Sequence, residues 1–433
     1  MAPQRSMDVS RLMDPIERDV LSAVDGLADE MLDFTERLVA EPSTLRHEKS
    51  ALAVMEAELN RLGWPATHVP IDSEGLSGHP GFAPVPWQAE ERFNLAATRP
   101  ADGAGGSSAL FNGHLDVVSP EPLSHWQADP FKPYEKDGWL YGRGAGDMKA
   151  GIAAMTYALR AVEKAGAGLR GPVTIEGVIE EECSGNGALA CMAAGYDADA
   201  VLIPEPFGPT ILAAQVGVAW FKVSVSGVPQ HVLETQGGVN AIEKCYPIIQ
   251  ALRSLEAENN RQVPPPFDAF NHPANLNIGI IKGGDWPSTV PAAAEFHCRI
   301  GFLPGTTFDQ IREKVLRCIE EAAEKDAWLS RTPPEVQFYG FRSEGLVLNR
   351  DLPAFQTLNT CHRDLTGEDA RSHFCTATTD LRAFVHYGRG QATCFGPVAE
   401  NIHAGNERVH IGSILHTARV YALFLCRWCG VVR

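Results

Sequence analysis

Apolar and polar residues follow two different spacings along this chain. Between positions 15 and 39 the apolar residues recur every three or four positions, which predicts an amphipathic helix, and a second helix is predicted between Thr44 and Gly63. Up to Glu205 the remaining apolar runs alternate between strand and helix, with strands at 94–97, 109–112, 173–179 and 200–204 and a helix at 148–164. This alternation predicts an α/β architecture with a largely parallel sheet.

The pattern changes after Pro209. It predicts a strand at 216–226, a helix at 241–255, strands at 276–281 and 294–300, a helix at 308–323 and a strand at 335–339. That order, β-α-β-β-α-β, is typical of a compact α+β unit. We therefore expect a larger α/β domain, with a mixed sheet and helices on both faces, formed by residues 1–215 and 342–433. Residues 216–341 are expected to form a smaller inserted domain.

Composition narrows the function classes. Of 433 residues, 44% are apolar and 21% are charged, which is ordinary for a globular protein. The formal charge of −17 argues against binding to nucleic acid or to anionic membranes. The first twenty residues lack the apolar core of a signal peptide, and no apolar window is long enough to cross a membrane. We therefore expect a cytoplasmic protein.

Ten cysteines are scattered along the chain without a paired framework, which suits a reducing compartment. Only Cys426 and Cys429 have a C-x-x-C spacing, and they follow an apolar stretch with no second pair. We interpret them as buried helix residues rather than as a zinc or redox site.

Three consecutive glutamates, Glu180, Glu181 and Glu182, follow the strand predicted at 173–179. Like charges at a strand end are unfavourable unless a cation or a proton lies among them. A divalent metal would allow one glutamate to bind the ion while its neighbour handles a proton. The alternative is a solvated acidic turn before a glycine-rich segment.

Other candidate ligands occur at similar places. His114 and Asp116 end a predicted strand, where residues two apart share a face and the carboxylate can orient the imidazole. Asp147 lies in the glycine-rich segment GRGAGDMK, which fits no nucleotide-binding motif. Glu205 follows a further strand, and His403 lies in a loop near the C-terminus. Each of these residues, taken singly, could be an ordinary surface or capping residue.

Taken together, His114, Asp147, Glu182, Glu205 and His403 form a set of nitrogen and oxygen ligands, which suits Zn²⁺, Mn²⁺ or Co²⁺. One or two divalent ions per chain are expected, and two ions bridged by one carboxylate would use all five residues.

The order of these motifs resembles the M20 metallopeptidase group, whose members include acetylornithine deacetylase and succinyl-diaminopimelate desuccinylase. The resemblance is carried by HLD at 114–116, GRGAGDMKAG at 142–151, EEE at 180–182 and GP…H at 396–403. It implies that Asp147 bridges two metals, and that the peptide bond after it is cis. It further implies the remaining roles: His114 and Glu205 on one metal, Glu182 and His403 on the other, Asp116 supporting His114, and Glu181 as general base and acid.

The inserted domain resembles the lid and dimerisation domain of the same group. This implies that His231, within SGVPQH, stabilises the oxyanion, and that in a homodimer it comes from the partner subunit. Asn240 is expected to contact substrate or position the lid. Arg299 and Arg382 match positions that bind a substrate carboxylate, and the alternative for each is a structural salt bridge. Gln230 and the segment 288–291 depart from the pattern of the group, which leaves the substrate open.

These observations predict a metal-dependent hydrolase of carbon–nitrogen bonds that removes an acyl group from an acylated amino acid or a related amine. One alternative is an aminohydrolase that releases ammonia from an aromatic or heterocyclic amine. An alternative of another class is a non-catalytic metal-binding relative, which the presence of Glu181 beside the ligand set disfavours. The expected partners are a small molecule, carrying a carboxylate, and a second copy of the chain bound through the lid.

Overall fold

The computed structural model describes residues 13–87 and 92–432. Eleven α-helices lie within these ranges: α1 Pro15–Asp25, α2 Ala28–Val39, α3 Lys49–Arg61, α4 Ser73–Leu76, α5 Ala150–Lys164, α6 Asn186–Ala193, α7 Ala241–Asn259, α8 Phe308–Glu324, α9 Pro353–Thr366, α10 Leu381–Tyr387 and α11 Ile411–Trp428. No helix in the described part of the chain is long and apolar enough to cross a membrane.

Nineteen strands are described: β1 Thr67–Pro70, β2 Phe93–Arg99, β3 Ala109–His114, β4 Tyr134–Lys136, β5 Trp139–Tyr141, β6 Gly168–Leu169, β7 Val173–Val178, β8 Ala200–Ile203, β9 Thr210–Gln215, β10 Gly217–Ser226, β11 Leu276–Gly283, β12 Ala293–Phe302, β13 Glu335–Ser343, β14 Leu346–Val347, β15 Arg371–Cys375, β16 Gln391–Cys394, β17 Ala399–Glu400, β18 Arg408–His410 and β19 Val431–Val432.

The largest sheet has the order β1-β2-β7-β3-β8-β16. Strands β7, β3, β8 and β16 run parallel, whereas β2 pairs antiparallel with β7 and β1 antiparallel with β2, so the sheet is mixed as predicted. Successive residues of β3 pack into different apolar clusters: Phe111 with α5 and α11, and Leu110 with α6 and α10. Helices therefore cover both faces of this sheet.

A second sheet has the order β11-β12-β10-β13, and all its pairs are antiparallel. Helices α7 and α8 pack against one of its faces and close an apolar cluster of their own, which contains Phe221, Ile248, Phe296 and Ile319. The β-α-β-β-α-β order is confirmed, while the domain limits at residues 215 and 341 stay a prediction. Shorter sheets, β14-β9-β15, β17-β18-β5-β4 and β19-β6, complete the molecule.

Two predicted helices differ from those observed. The helix expected over 15–39 is divided into α1 and α2 at Gly26, and the helix expected from residue 148 begins at Ala150. An irregular turn, Ala145–Lys149, precedes it because Gly144 has a φ of 79° and Asp147 has non-helical backbone angles. That irregular turn carries one of the candidate ligands.

Candidate metal centre

The candidate ligands gather at the carboxyl ends of neighbouring parallel strands. His114 is the last residue of β3, the glutamate run follows β7, and Glu205 comes two residues after β8. Because β3 pairs in parallel with both β7 and β8, these three chain ends meet at the same edge of the sheet. Open α/β sheets place their functional sites at this edge.

His114 is buried, and both of its ring nitrogens are engaged. Its Nδ1 lies 2.9 Å from the main-chain oxygen of Asp116, and its Nε2 lies 3.1 Å from Oδ1 of Asp147. When Nδ1 donates its proton to that carbonyl group, Nε2 keeps a free lone pair. The imidazole therefore presents a basic nitrogen to the space beside Asp147, as a metal ligand does.

Asp147 lies between two histidines. Its Oδ1 faces His114, and its Oδ2 is 3.4 Å from Nε2 of His403. Two groups share this residue, and within each group the candidate ligand atoms all lie within 4.8 Å of one another: His114, Asp147 and Glu205, and Asp147, Glu182 and His403. The structure thus brings together all five residues that the sequence singled out. The peptide bond between Asp147 and Met148 is cis.

In the group of Asp147, Glu182 and His403, the histidine is carried by the loop between β17 and β18. His403 has a φ of 61°, its side chain is 51% exposed, and its Nε2 lies 3.1 Å from Oε1 of Glu182. The charge of Glu182, followed by hydrogen bonding to Asp147, raises the pKa of His403 to about 11. A histidine pKa this high reports a strongly negative potential, which would also attract a metal cation.

Glu181 and Glu205 are buried beside the two groups. Burial, and then the charges of nearby carboxylates, raise the pKa of both side chains well above the ordinary glutamate value. Oε2 of Glu181 lies 4.0 Å from Nε2 of His114. The carboxylate of Glu205 accepts no hydrogen bond from residues 13–87 or 92–432. A buried carboxylate without a donor is costly, and a cation would offset that cost.

Asp116 makes contacts through both its main-chain oxygen and its carboxylate. Its main-chain oxygen orients His114, while its carboxylate accepts the backbone N–H groups of Glu181 at 3.3 Å and of Glu182 at 3.1 Å. Burial raises the pKa of Asp116 to about 7. The residue therefore holds the glutamate run against the end of β3, in addition to supporting the histidine.

The donor chemistry of the cluster fits a pair of divalent ions. Three carboxylates and two imidazoles meet in a partly buried space, with no cysteine in either group of three. Nitrogen and oxygen donors of this kind suit Zn²⁺, Mn²⁺ or Co²⁺. Asp147 offers one oxygen to each group, which is how a bridging carboxylate serves two ions.

The candidate residues His231 and Asn240 of the inserted unit make local hydrogen bonds. His231 is exposed, and its Nδ1 accepts the N–H of Leu233 in its own turn. Asn240 caps helix α7, because its Oδ1 accepts the N–H groups of Ile242 and Glu243. Helix capping explains the local position of Asn240 without a ligand.

The two candidate arginines differ in their partners. The guanidinium group of Arg299 donates to the side chain of Asn275 and, at 2.8 Å, to the main-chain oxygen of Thr376, so it ties β12 to the segment before α10. Arg382 is buried over the ring of Phe341, 4.7 Å from its centroid. It borders a cavity of about 290 Å³, and its nearest acid is Asp380 at 3.8 Å.

Sequence reasoning gave no role to Glu407 or to Glu180. The carboxylate of Glu407 accepts backbone N–H groups of the turn that carries Asp147. Glu180 has a φ of 70°, and its carboxylate accepts from Arg92 and Ser184. Glu407 is the last residue of the segment GPVAENIHAGNE, and this position beside His403 was the one sequence feature that could have indicated its role. For Glu180 the corresponding feature was its place in the glutamate run.

Comparison with known proteins agrees with this geometry. Residues 110–427 match the model of peptidase family M20/M25/M40. N-formyl-4-amino-5-aminomethyl-2-methylpyrimidine deformylase of Bacillus subtilis (strain 168) is 27% identical over 349 residues, which cover 76% of this chain and 81% of that protein. Acetylornithine deacetylase of Proteus mirabilis (strain HI4320) is 27% identical over 408 residues, which cover 92% of this chain and 96% of that protein.

A solved structure extends the likeness to the fold. The di-peptidase Dug1p from Saccharomyces cerevisiae superposes with a TM-score of 0.79 at 15% identity, covering 95% of this chain and 98% of that chain. Together with the matched model and the relatives, the fold and the site define a hydrolase of carbon–nitrogen bonds. The chain belongs to peptidase family M20/M25/M40.

Proposed function

We propose that the protein is a metal-dependent N-deacylase, which hydrolyses the amide bond of an acylated amino acid or a related amine. The single observation that carries this proposal is the position of Asp147, whose two carboxylate oxygens face two different histidines. The relatives named above are a deformylase and a deacetylase, so their names describe the removal of small acyl groups from nitrogen.

The five residues of the two groups would hold the ions, with Asp147 shared between them. When bound, such ions polarise a carbonyl group and lower the pKa of a water molecule. Glu181 takes the proton of the attacking water and later delivers it to the departing nitrogen. Its burial beside His114 supports this role, because a carboxylate shielded from solvent transfers protons without losing them to bulk water.

His231 would stabilise the oxyanion from the partner subunit of a homodimer. Two features of the inserted unit support this arrangement. His231 is exposed, and its Nδ1 accepts a hydrogen bond within its own turn. Strand β11 forms an edge of its sheet and leaves Ile281 and the nearby Trp286 55% and 67% exposed. An apolar, unpaired edge of this kind favours pairing with a second copy.

Aromatic rings beside the glutamate run favour a heterocyclic or aromatic amine as the product. The indole N–H of Trp87 lies 3.4 Å from Oε1 of Glu180, and its ring meets Tyr339 of β13 with centroids 6.3 Å apart. The ring of Trp220 also contacts Tyr339, with centroids 6.0 Å apart. The rings of Trp87, Tyr339 and Trp220 also support the second candidate function, release of ammonia from an aromatic amine, because both reactions would bind a planar ring.

Arg382 is our candidate for a substrate carboxylate, since its terminal nitrogens have no hydrogen-bond partner among the described residues. Arg299 and Asn240 remain weaker candidates, because structural contacts already occupy both side chains. We place the protein in the cytoplasm, which is supported by its ten cysteines, all of them free.

A substrate panel with a matched variant tests the function. Formyl, acetyl and succinyl amides of amino acids and of aminopyrimidines are supplied to the purified protein, and released amine and ammonia are measured separately. Glu181→Gln should lower turnover by at least about 100-fold while metal content stays at two ions, because removal of an acid–base group costs that much. Glu400→Gln, at an exposed carboxylate of β17, is the control. Unchanged turnover in Glu181→Gln would contradict the assignment.

A further inference from the structure

A buried ion pair lies behind the metal cluster and belongs to neither group of ligands. Arg143 and Glu407 are 2% and 0% exposed, and the Arg143 guanidinium donates directly to Oε2 of Glu407. The two residues are far apart in the chain, and each lies within four positions of a candidate ligand, Asp147 or His403.

The Glu407 side of the pair fixes the turn around Asp147. Oε1 of Glu407 accepts the backbone N–H of Gly146 at 2.9 Å and that of Asp147 at 3.0 Å. The main-chain oxygen of Glu407 also accepts the N–H of Gly142 at 3.0 Å. Gly146 has no room for a side chain, because a Cβ there would lie 2.6 Å from Ala399. Glu407 therefore holds the segment from Gly142 to Asp147 at both of its ends.

The Arg143 side of the pair fixes the loop around His403. A second nitrogen of its guanidinium donates to the main-chain oxygen of Ala404 at 3.2 Å, and Ala404 is the neighbour of His403. The Trp126 ring covers the guanidinium at 5.2 Å. His403 itself is half exposed and has a left-handed backbone, so its own packing restrains it weakly.

A buried ion pair is a poor source of stability, because the desolvation of two charges roughly cancels their attraction. Apolar residues of the same volume would hold two loops together as well, but would not fix a backbone N–H against a carboxylate oxygen. The Arg143–Glu407 pair instead supplies directional hydrogen bonds, which fix the backbone beside Asp147 and the backbone beside His403.

We propose that Arg143 and Glu407 are positioning residues that set the separation of Asp147 and His403, and so the affinity of the Asp147–Glu182–His403 group for its ion. This inference rests on the proposed metal-dependent function. The other group depends less on the pair, because β3 and β8 of the main sheet carry His114 and Glu205. Loss of the pair should therefore weaken the two ions unequally.

Metal titration of the full chain, stripped of ions and then supplied with Co²⁺, tests this asymmetry. Binding is followed by calorimetry and by the visible absorption of the ion in Arg143→Lys and Glu407→Gln. The matched controls are Arg408→Lys and Glu400→Gln, which alter a partly exposed ion pair between β17 and β18, the two strands that flank the same loop. We expect the ion of the Asp147–Glu182–His403 group to lose about 10- to 100-fold in affinity in the first two variants, the other ion to lose less, and the controls to resemble the wild type.

The possible outcomes separate the positioning role from the metal centre itself. Equal loss at both ions, or unchanged binding with a lower Tm of the metal-free chain, would overturn the positioning role. Should Glu407→Gln fail to fold, Arg143→Lys alone tests that role, because lysine keeps the charge and loses the forked geometry. A wild-type chain that binds no Co²⁺ would instead refute the proposed metal centre.

Discussion

Glu176→Gln is expected to stabilise the protein above neutral pH and to leave it nearly unchanged in mild acid. Glu176 is fully buried in β7, between β2 and β3. Its Oε2 accepts a hydrogen bond of 2.9 Å from Asn112, whereas its Oε1 and Oδ1 of Asn112 have no partner among the described residues. Burial, aided by the charges of Asp380 and Asp197, raises the pKa of Glu176 to about 8.

The magnitude follows from the difference between the folded and unfolded chains. An unfolded glutamate has a pKa of 4.5, so between pH 4.5 and about 8 the folded chain keeps a proton that the unfolded chain releases. The stability gained from this proton is fully present below pH 4.5 and is lost as the pH rises through about 8. The loss is about 1.4 kcal/mol per pH unit, or about 2.5 kcal/mol between about pH 5.5 and about pH 7.5.

Urea unfolding at these two pH values, followed by tryptophan fluorescence, measures the effect as a difference between variant and wild type. The free energy of unfolding of Glu176→Gln should rise relative to the wild type by about 2.5 kcal/mol across the interval, because glutamine does not titrate. Other buried carboxyl groups are common to both proteins and cancel. Glu324→Gln, on the exposed side of α8, should show no such change. A constant difference at both pH values would refute the reasoning.

Three further outcomes are expected. Asp116→Asn should lower kcat by about 10- to 100-fold, because an amide can no longer accept both backbone N–H groups of the glutamate run. Steady-state kinetics measures this effect, and an unchanged kcat would contradict it. Removal of metal by a chelator should lower the Tm, and added Zn²⁺ should raise it again in a concentration-dependent way; a Tm insensitive to metal would contradict the centre. Ile281→Glu should give monomers in sedimentation experiments, and a persistent dimer would locate the interface elsewhere.

The proximity of the candidate ligands could be predicted in part, because three of the five stand at the ends of apolar runs. His114, Glu182 and Glu205 follow apolar runs that form β3, β7 and β8, and such runs can be identified within a single short segment. The inserted α+β unit was predictable for the same reason, since its strands and helices are long and regular.

Contacts between residues that are far apart in the chain could not be predicted from the sequence. The hydrogen bonds from the Asp116 carboxylate to the glutamate run join strands that meet only in the folded sheet. The contact of Arg299 with Thr376 and the pairing of Arg143 with Glu407 likewise connect segments far apart in the chain. The division of the first helix at Gly26 was missed because the apolar spacing continues through it, and spacing alone does not report a change of direction.

The shared position of Asp147 has a consequence for the order in which the site is assembled during synthesis. His114, Asp147 and Glu205 all precede the inserted unit, whereas His403 and Glu407 lie close to the C-terminus. During translation the first group can therefore form while the second still awaits its last ligand. Four of the five candidate ligands thus precede the inserted unit, and the set would be complete only once His403 has been synthesised and α11 has packed against α5.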